Sequence, residues 1–301
     1  MAMNAGTLAP RHLPPAPARD SLRSSLARAR TAAWLGWQVE GNWADPVLFS
    51  IYVLARPLAT ALILAVMYRT VRGHGAELAV FVGFFVANAF HAYVNTVTVG
   101  LGWVVFEERE EYETLKYVYA SPVGMFTYLA GRSMVKFALA TVSVLVTLGV
   151  GWFLLGARWD WAHVQWLPLA VAMAAGLAST LFFGFLLAGW SLVLQRSAMV
   201  VLEGATLASY LLCGVIFPVD LLPGPLRWIA WSLPFTWWYE AIRRFLTGHG
   251  TRGLMERWSD AQVLLVLVVV TLVFAALARW GYFAFERRAR QLGRLDQTSL
   301  F

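Results

Sequence analysis

Apolar residues run together along this chain for longer than a soluble core requires. Residues 78–106 include no Asp, Glu, Lys or Arg, and the same holds for 137–155, 161–195, 204–219 and 261–278. A helix that crosses the hydrocarbon core of a bilayer needs about 20 mostly apolar residues. The shortest window, 204–219, reaches back to Ser197 once Glu203 is tolerated. A sixth window, 46–68, holds one charge, Arg56. A central Arg costs about 2.5–3.5 kcal/mol, and each Leu, Ile, Phe or Val returns about 0.3–0.6 kcal/mol. Val47, Leu48, Phe49, Ile51, Leu58, Leu62, Ile63 and Leu64 therefore offset it. The pattern predicts an all-α integral membrane fold with six transmembrane helices, over 46–68, 78–106, 126–156, 165–195, 197–219 and 261–283.

The flanks read differently. Residues 1–20 are rich in Pro and Ala (Pro10, Pro14, Pro15, Pro17) and are expected to be a disordered tail. They contain no apolar stretch of the kind a signal peptide needs. Over 21–45, Leu22, Leu26, Ala29, Ala33 and Trp37 recur at spacings of three and four, with Arg23, Arg28, Arg30 and Trp34 beside them. That spacing predicts an amphipathic helix lying in the membrane interface; a soluble linker helix is the alternative. A six-span transmembrane domain is then expected over 46–285, followed by a basic cytoplasmic tail over 286–301. No internal repeat is visible, which argues against carriers built from repeats.

Composition agrees with the pattern. Hydrophobic types make up 59% of the chain, charged types 14%, and mean hydropathy is +0.61. Soluble domains carry about 25% charged residues, so the spare apolar surface here faces lipid. The net charge of +7 is assigned to arginines held at anionic lipid, not to nucleic-acid binding. With both termini cytoplasmic, twelve Lys and Arg lie in inner segments and eight in outer ones, and Arg132 and Lys136 add to the inner side. This modest bias favours an orientation with both ends inside, and the expected location is the plasma (inner) membrane. The single cysteine, Cys213, excludes an intrachain disulfide.

Two segments carry chemical information. After the second span, Glu107, Glu108, Glu110, Glu111 and Glu113 surround Arg109, and Thr114, Leu115, Lys116, Tyr117, Val118, Tyr119, Ser121 and Pro122 follow. Charge this dense cannot sit in lipid. It is expected to project into the cytosol as a short helix stopped before Pro122. It then serves either as a solvated acidic turn or as a docking surface with Leu115, Tyr117, Val118 and Tyr119 as anchors. The second segment ends the fifth span at Phe217-Pro218 and turns at Pro223–Pro225. Leu226, Arg227, Trp228, Ile229 and Ala230 follow, and beyond Pro234 come Trp237, Trp238, Glu240, Arg243 and Arg244. These are expected to form two half-length helices resting in the outer interface, with their arginines snorkelling.

Polar residues inside the spans have two readings each. Asn88, His91 and Asn95 share one face of the second span, as a translocation wall or as hydrogen-bonding glue between helices. Arg56-Pro57 fits a kink facing a watery interior, or a displaced span boundary. Glu203 fits a partner Arg or a water-exposed end. The fifteen Trp sit mainly near span ends, as interfacial anchors. No catalytic set is present: the five His lack metal-ligand spacing, and neither Gly-x-Ser-x-Gly nor His-Glu-x-x-His occurs. A phosphate-binding loop needs Gly-x-x-x-x-Gly-Lys followed by Ser or Thr. The two lysines, Lys116 and Lys136, follow Leu115 and Val135 and precede aromatic residues, so no ATP site of this kind is encoded.

Taken together, Glu108-Arg109-Glu110, Thr114-Leu115 and Ser121-Pro122 resemble the first cytoplasmic loop of type-2 ABC exporter permeases, with Glu113 where that family carries Gly and Lys116 where it carries an acid. Gly214, Phe217, Pro218, Leu222, Pro223, Leu226, Arg227, Trp228, Ile229, Pro234, Glu240 and Arg243 resemble its second hallmark, before the last span. The resemblance covers about residues 30–285. It implies six spans, an N-terminal interface helix, a cytoplasmic coupling helix and two short external re-entrant helices. It also implies a second permease subunit, homo- or heterodimeric, and a separate ATPase subunit that binds ATP and Mg2+. The expected function is export of a hydrophobic or amphipathic compound by alternating access. Polysaccharide or glycolipid export, and proton-coupled secondary transport through His91 or Glu203, stand as alternatives.

Overall fold

The computed structural model describes residues 22–41, 45–72, 78–121, 123–155, 163–194, 197–251 and 253–293. The tail over 1–20, Pro122 and the side chain of Arg56 lie outside the described residues. Among the described residues the protein is helical throughout, with no strand.

Helix α1 spans Leu22–Gly41 and α2 spans Pro46–Arg72, with Pro57 inside it. The next membrane helix is a composite. Helix α3 (Leu78–Tyr93) passes through a π-helical turn, Val94–Val99, into α4 (Gly100–Phe106), and a second π-turn, Glu107–Glu111, ends it. The short α5 (Leu115–Ala120) follows, then α6 (Met125–Leu155), α7 (Trp166–Val193) and α8 (Ala198–Leu212). Helices α9 (Gly224–Ser232) and α10 (Pro234–Ile242) precede α11 (Asp260–Gln291). Among the described residues, five helices are long and apolar enough to cross a membrane: 47–67, 81–111, 125–153, 166–193 and 260–291. Ala198–Leu212 is a shorter apolar sixth.

Two boundaries differ from the expected ones. Helix α8 stops at Leu212 because Gly214 adopts a left-handed φ of +76° and the chain turns towards Pro218. At about 1.5 Å per residue it is about 22 Å long, less than the hydrocarbon thickness of about 30 Å. Helix α11 runs on to Gln291, well into the segment expected as a basic tail. Its start is fixed by a capping box, in which Ser259 accepts from the Gln262 backbone and the Gln262 side chain accepts from the Ser259 backbone.

Among the α1 side chains that are described, the buried residues are small, Ala32 and Gly36, while Trp34, Leu35 and Trp37 face outward. The reason lies on α6. A Cβ on Gly131 would sit 2.6 Å from the Ala29 carbonyl oxygen and 3.0 Å from the Ala33 nitrogen, so the two backbones touch there. Small residues permit that approach, and the tryptophans are left for the interface.

The core has two centres. One, towards the α9–α10 end, gathers Phe90, Tyr93, Phe235, Trp238 and Tyr239. Helix α10 is buried from Pro234 through Ile242, so it does not rest in the interface as expected of it. Gly176 of α7 is what admits it, since a Cβ there would overlap the Trp238 indole. Helix α9 keeps Leu226, Trp228 and Ile229 exposed, as an interfacial helix does. The other centre surrounds the α5 end, where Leu115, Met125, Tyr128, Phe185, Leu192 and Tyr282 close together.

Candidate functional site

The acidic segment after the second span is divided by the fold into a buried part and an exposed part. Glu108, Arg109 and Glu110 are buried, whereas Glu111, Tyr112, Glu113, Lys116 and Tyr117 are exposed. The expectation that the whole cluster projects into the cytosol is corrected for those three residues. Charge can be buried where each group finds a partner, and here each does.

Arg109 donates from Nε to Glu110 Oε1 at 2.8 Å, and from its two terminal nitrogens to the carbonyls of Ser191 at 3.1 Å and Leu194 at 3.4 Å. It thereby fills the acceptors left open at the C-terminal end of α7. Glu108 accepts from the hydroxyls of Thr114 and Tyr128, joining the start of α5 to α6. Glu107 is partly buried and faces Arg132 of α6, whose Nη2 lies 3.3 Å away. Arg132 also approaches Glu40 of α1 at 3.8 Å, and Lys136 pairs with the same carboxylate. The Lys136 stem crosses Gly100, where an added Cβ would lie 2.9 Å from its Cδ. Helices α1, α4, α6 and α7 are thus tied together around the origin of α5.

Leu115 is fully buried and anchors α5, with Tyr119 behind it. Arg290 of α11 lies over the Tyr119 ring, 4.8 Å from its centre. Burial pushes the Tyr119 phenol above its ordinary range; Glu286 acts in the same direction and Arg290 opposes it. Ser121 caps the turn by donating to the Val118 carbonyl at 2.8 Å. The outward face of α5 is left with Lys116, Tyr117 and Ala120, next to Tyr112 and Glu113. Glu113 has a φ of +51°, the only positive value at a non-glycine among the described residues, and it turns the chain into α5. It stands where the resembled loop carries Gly, and the left-handed conformation is the physical reason for a glycine there.

The polar residues of the second span separate as well. Asn88 and His91 are buried: Tyr210 of α8 donates to Asn88 Oδ1 at 2.9 Å, and His91 Nδ1 lies 2.9 Å from the Tyr239 hydroxyl. Both serve as inter-helix hydrogen bonds. Asn95 lies in the π-turn, an element that packs against α8, and is half-buried. At the opposite end of the bundle, Arg243 is buried and not snorkelling. It donates to the carbonyls of Gly83, at 3.1 Å, and Gly214, and to Thr251 Oγ1 at 3.0 Å, over the Phe84 ring at 4.8 Å. Buried Glu240 accepts from Arg244 at 2.8 Å and from the Thr251 hydroxyl at 2.6 Å. Pro223 and Trp228 are exposed, Pro218 is half-buried and Pro234 is buried at the start of α10.

Several participants were not singled out for this role from the sequence: Glu40, Tyr128, Tyr210 and Tyr239. The sequence pattern presents Arg132 and Lys136 as orientation signals, although a basic pair at i, i+4 in an apolar helix also calls for acidic partners. Among the described residues no three His, Cys, Asp or Glu side chains are grouped to hold a metal ion.

A family model described as "ABC-2 type transporter" matches residues 31–246. A search of curated proteins finds no match. The matched stretch runs from α1 through the π-turn after α10, so it takes in the buried Glu108–Glu110 latch, α5 and the Arg243 anchor. The chain belongs to the ABC-2 type transporter family, as a membrane-embedded permease subunit that works with an ATPase partner.

Proposed function

We propose that this permease exports a hydrophobic or amphipathic compound by alternating access, with α5 as its coupling helix. The observation that carries the reading is the division of the acidic segment. Buried Glu108, Arg109 and Glu110 fasten α5 to the ends of α6 and α7, while Tyr112, Glu113, Lys116 and Tyr117 remain free on the surface. A segment built in this way transmits force: its outer face is available to a partner, and its inner face cannot move without moving three membrane helices.

In this mechanism a separate ATPase subunit binds ATP and Mg2+ and closes on nucleotide. The displaced α5 pulls on Ser191 and Leu194 through Arg109 and on α6 through Tyr128. A cavity between two permease subunits then opens away from the cytoplasm. Both termini lie on the cytoplasmic side, and α9 and α10 form the re-entrant pair that closes the outer end. The anchor of Arg243 to Gly83 and Gly214 holds that pair to the second and fifth spans.

Cross-linking tests the arrangement. In a Cys213→Ser background, Tyr117→Cys is expected to form a disulfide with a cysteine placed on the ATPase subunit surface, at a yield that changes with bound nucleotide. Val142→Cys, exposed on the membrane-spanning stretch of α6, is expected to give none. Equal yields at both positions would remove α5 as the coupling element.

A further inference from the structure

The exposed line along α11 changes from apolar to basic at one level. Leu265, Val269, Leu272 and Ala276 follow each other at spacings of three and four, and Arg279, Phe283 and Arg287 continue the same line, all exposed. The two arginines converge on the residue between them. Arg279 lies over the Phe283 ring, 5.4 Å from its centre. Arg287 reaches back one turn and donates from Nε to the Phe283 carbonyl at 3.1 Å. Neither guanidinium has a carboxylate partner among the described residues, because Glu286, the nearest acid in sequence, holds Arg290 at 2.8 Å. Arg288 lies half a turn away, on the opposite side of the helix, and Arg294 lies outside the described residues.

The neighbours of Phe283 set its depth. Its ring stacks on Phe126, the second residue of α6, with centres 6.2 Å apart. Tyr282 packs on Gly189, four residues before the end of α7, where an added Cβ would lie 3.0 Å from the Tyr282 Cα. One membrane helix begins and another ends at this level, so Phe283 stands where hydrocarbon gives way to headgroups. Trp280, exposed beside Arg279, is the residue type that anchors there. An arginine on a lipid-facing surface at that depth turns its head to the interface. A guanidinium presents a fork of donors that matches phosphate oxygens.

The occupant must satisfy both halves of the line. Free phosphate would meet the arginines and leave the apolar stretch unused. A second copy packed here about a two-fold axis would set arginines against arginines. A phospholipid carries acyl chains and a phosphate at the required separation of hydrocarbon and interface. We infer that Arg279 and Arg287, with Phe283 between them, form a headgroup site for an anionic phospholipid whose acyl chains lie along α11. The site requires only that the chain is embedded in a bilayer, and it is independent of cargo, transport direction and the role of α5.

Native mass spectrometry of the full chain, titrated in detergent with dioleoylphosphatidylglycerol, tests it. Arg279→Gln and Arg287→Gln are each expected to weaken binding of the first lipid about fivefold, equivalent to about 1 kcal/mol per arginine. The double variant is expected to lose both contributions while unfolding at the wild-type temperature, since both side chains are exposed. Arg288→Gln, which removes the same charge from the opposite side, is expected to bind as the wild type does. Dioleoylphosphatidylcholine is expected not to distinguish the chains. Equal phosphatidylglycerol affinity for wild type and double variant overturns the proposal, as does an equal loss in Arg288→Gln. Displacement of the lipid by inorganic phosphate would make this a free-anion site and also overturn it. A double variant that shifts from dimer to monomer with its lipid affinity unchanged would give the face to a second copy instead.

Discussion

The guanidinium of Arg109 donates to the carbonyl of Ser191 across 3.1 Å, binding the end of the second span to the end of α7. Because Arg109 also holds Glu110 at 2.8 Å in a place closed to solvent, neither charge can be removed alone without leaving the other unpaired. Arg109→Ala is expected to destabilise the chain by about 3–5 kcal/mol. Arg109→Ala combined with Glu110→Ala is expected to recover a substantial part, because no orphan carboxylate remains. Thermal unfolding in detergent measures both, and equal destabilisation in the single and double variants would contradict the pairing.

Glu113 carries its φ of +51° at the entrance to α5. A non-glycine in the left-handed region costs about 1 kcal/mol. Glu113→Gly is expected to raise stability by about 0.5–1 kcal/mol, while Glu113→Val lowers it, since a branched side chain is worst tolerated there. The midpoint of unfolding gives the sign directly.

At the other end, Arg243 spreads its nitrogens over Gly83, Gly214 and Thr251 and lies over Phe84. A lysine keeps the charge and loses the planar fork. Arg243→Lys is therefore expected to cost about 2–4 kcal/mol, nearly as much as a buried charge left without its partners. If Arg243→Lys unfolds with the wild type, the guanidinium geometry is not what holds α10.

The His91–Tyr239 contact of 2.9 Å joins the second span to α10. A double-mutant cycle with His91→Leu and Tyr239→Phe is expected to give a coupling of about 0.5–1.5 kcal/mol. Additive effects would show that the two residues act separately.

Most of the fold could be read from charge-free runs, because lipid excludes unpaired charge and a helix is the structure that satisfies its own backbone. Span limits at 47–67, 125–153 and 166–193 follow those runs closely. The short α8 was harder to read, since Cys213, Val215, Ile216 and Phe217 are as apolar as a helix interior and the turn depends on Gly214. The burial of Glu108, Arg109 and Glu110 could not be read from their own segment at all. It depends on Tyr128 and on the carbonyls of Ser191 and Leu194, about 20 and 80 residues away in sequence. The same holds for α10, whose Trp238 looked interfacial by composition and is buried because Gly176 leaves room for it. Patterning within one helix reports solvent or lipid; it does not report which neighbour arrives.

In the proposed mechanism an ATPase subunit docks on the exposed face of α5 while the buried latch transmits its movement. The most direct measurement is purification of the tagged chain from native membranes in mild detergent, with identification of what accompanies it. Wild type is expected to bring down an ATPase subunit in stoichiometric amount. Tyr117→Ala with Lys116→Glu is expected to lose it while unfolding at the wild-type temperature. An ATPase retained at full stoichiometry by that double variant, or a monodisperse wild-type chain that transports without any ATPase, would contradict the account.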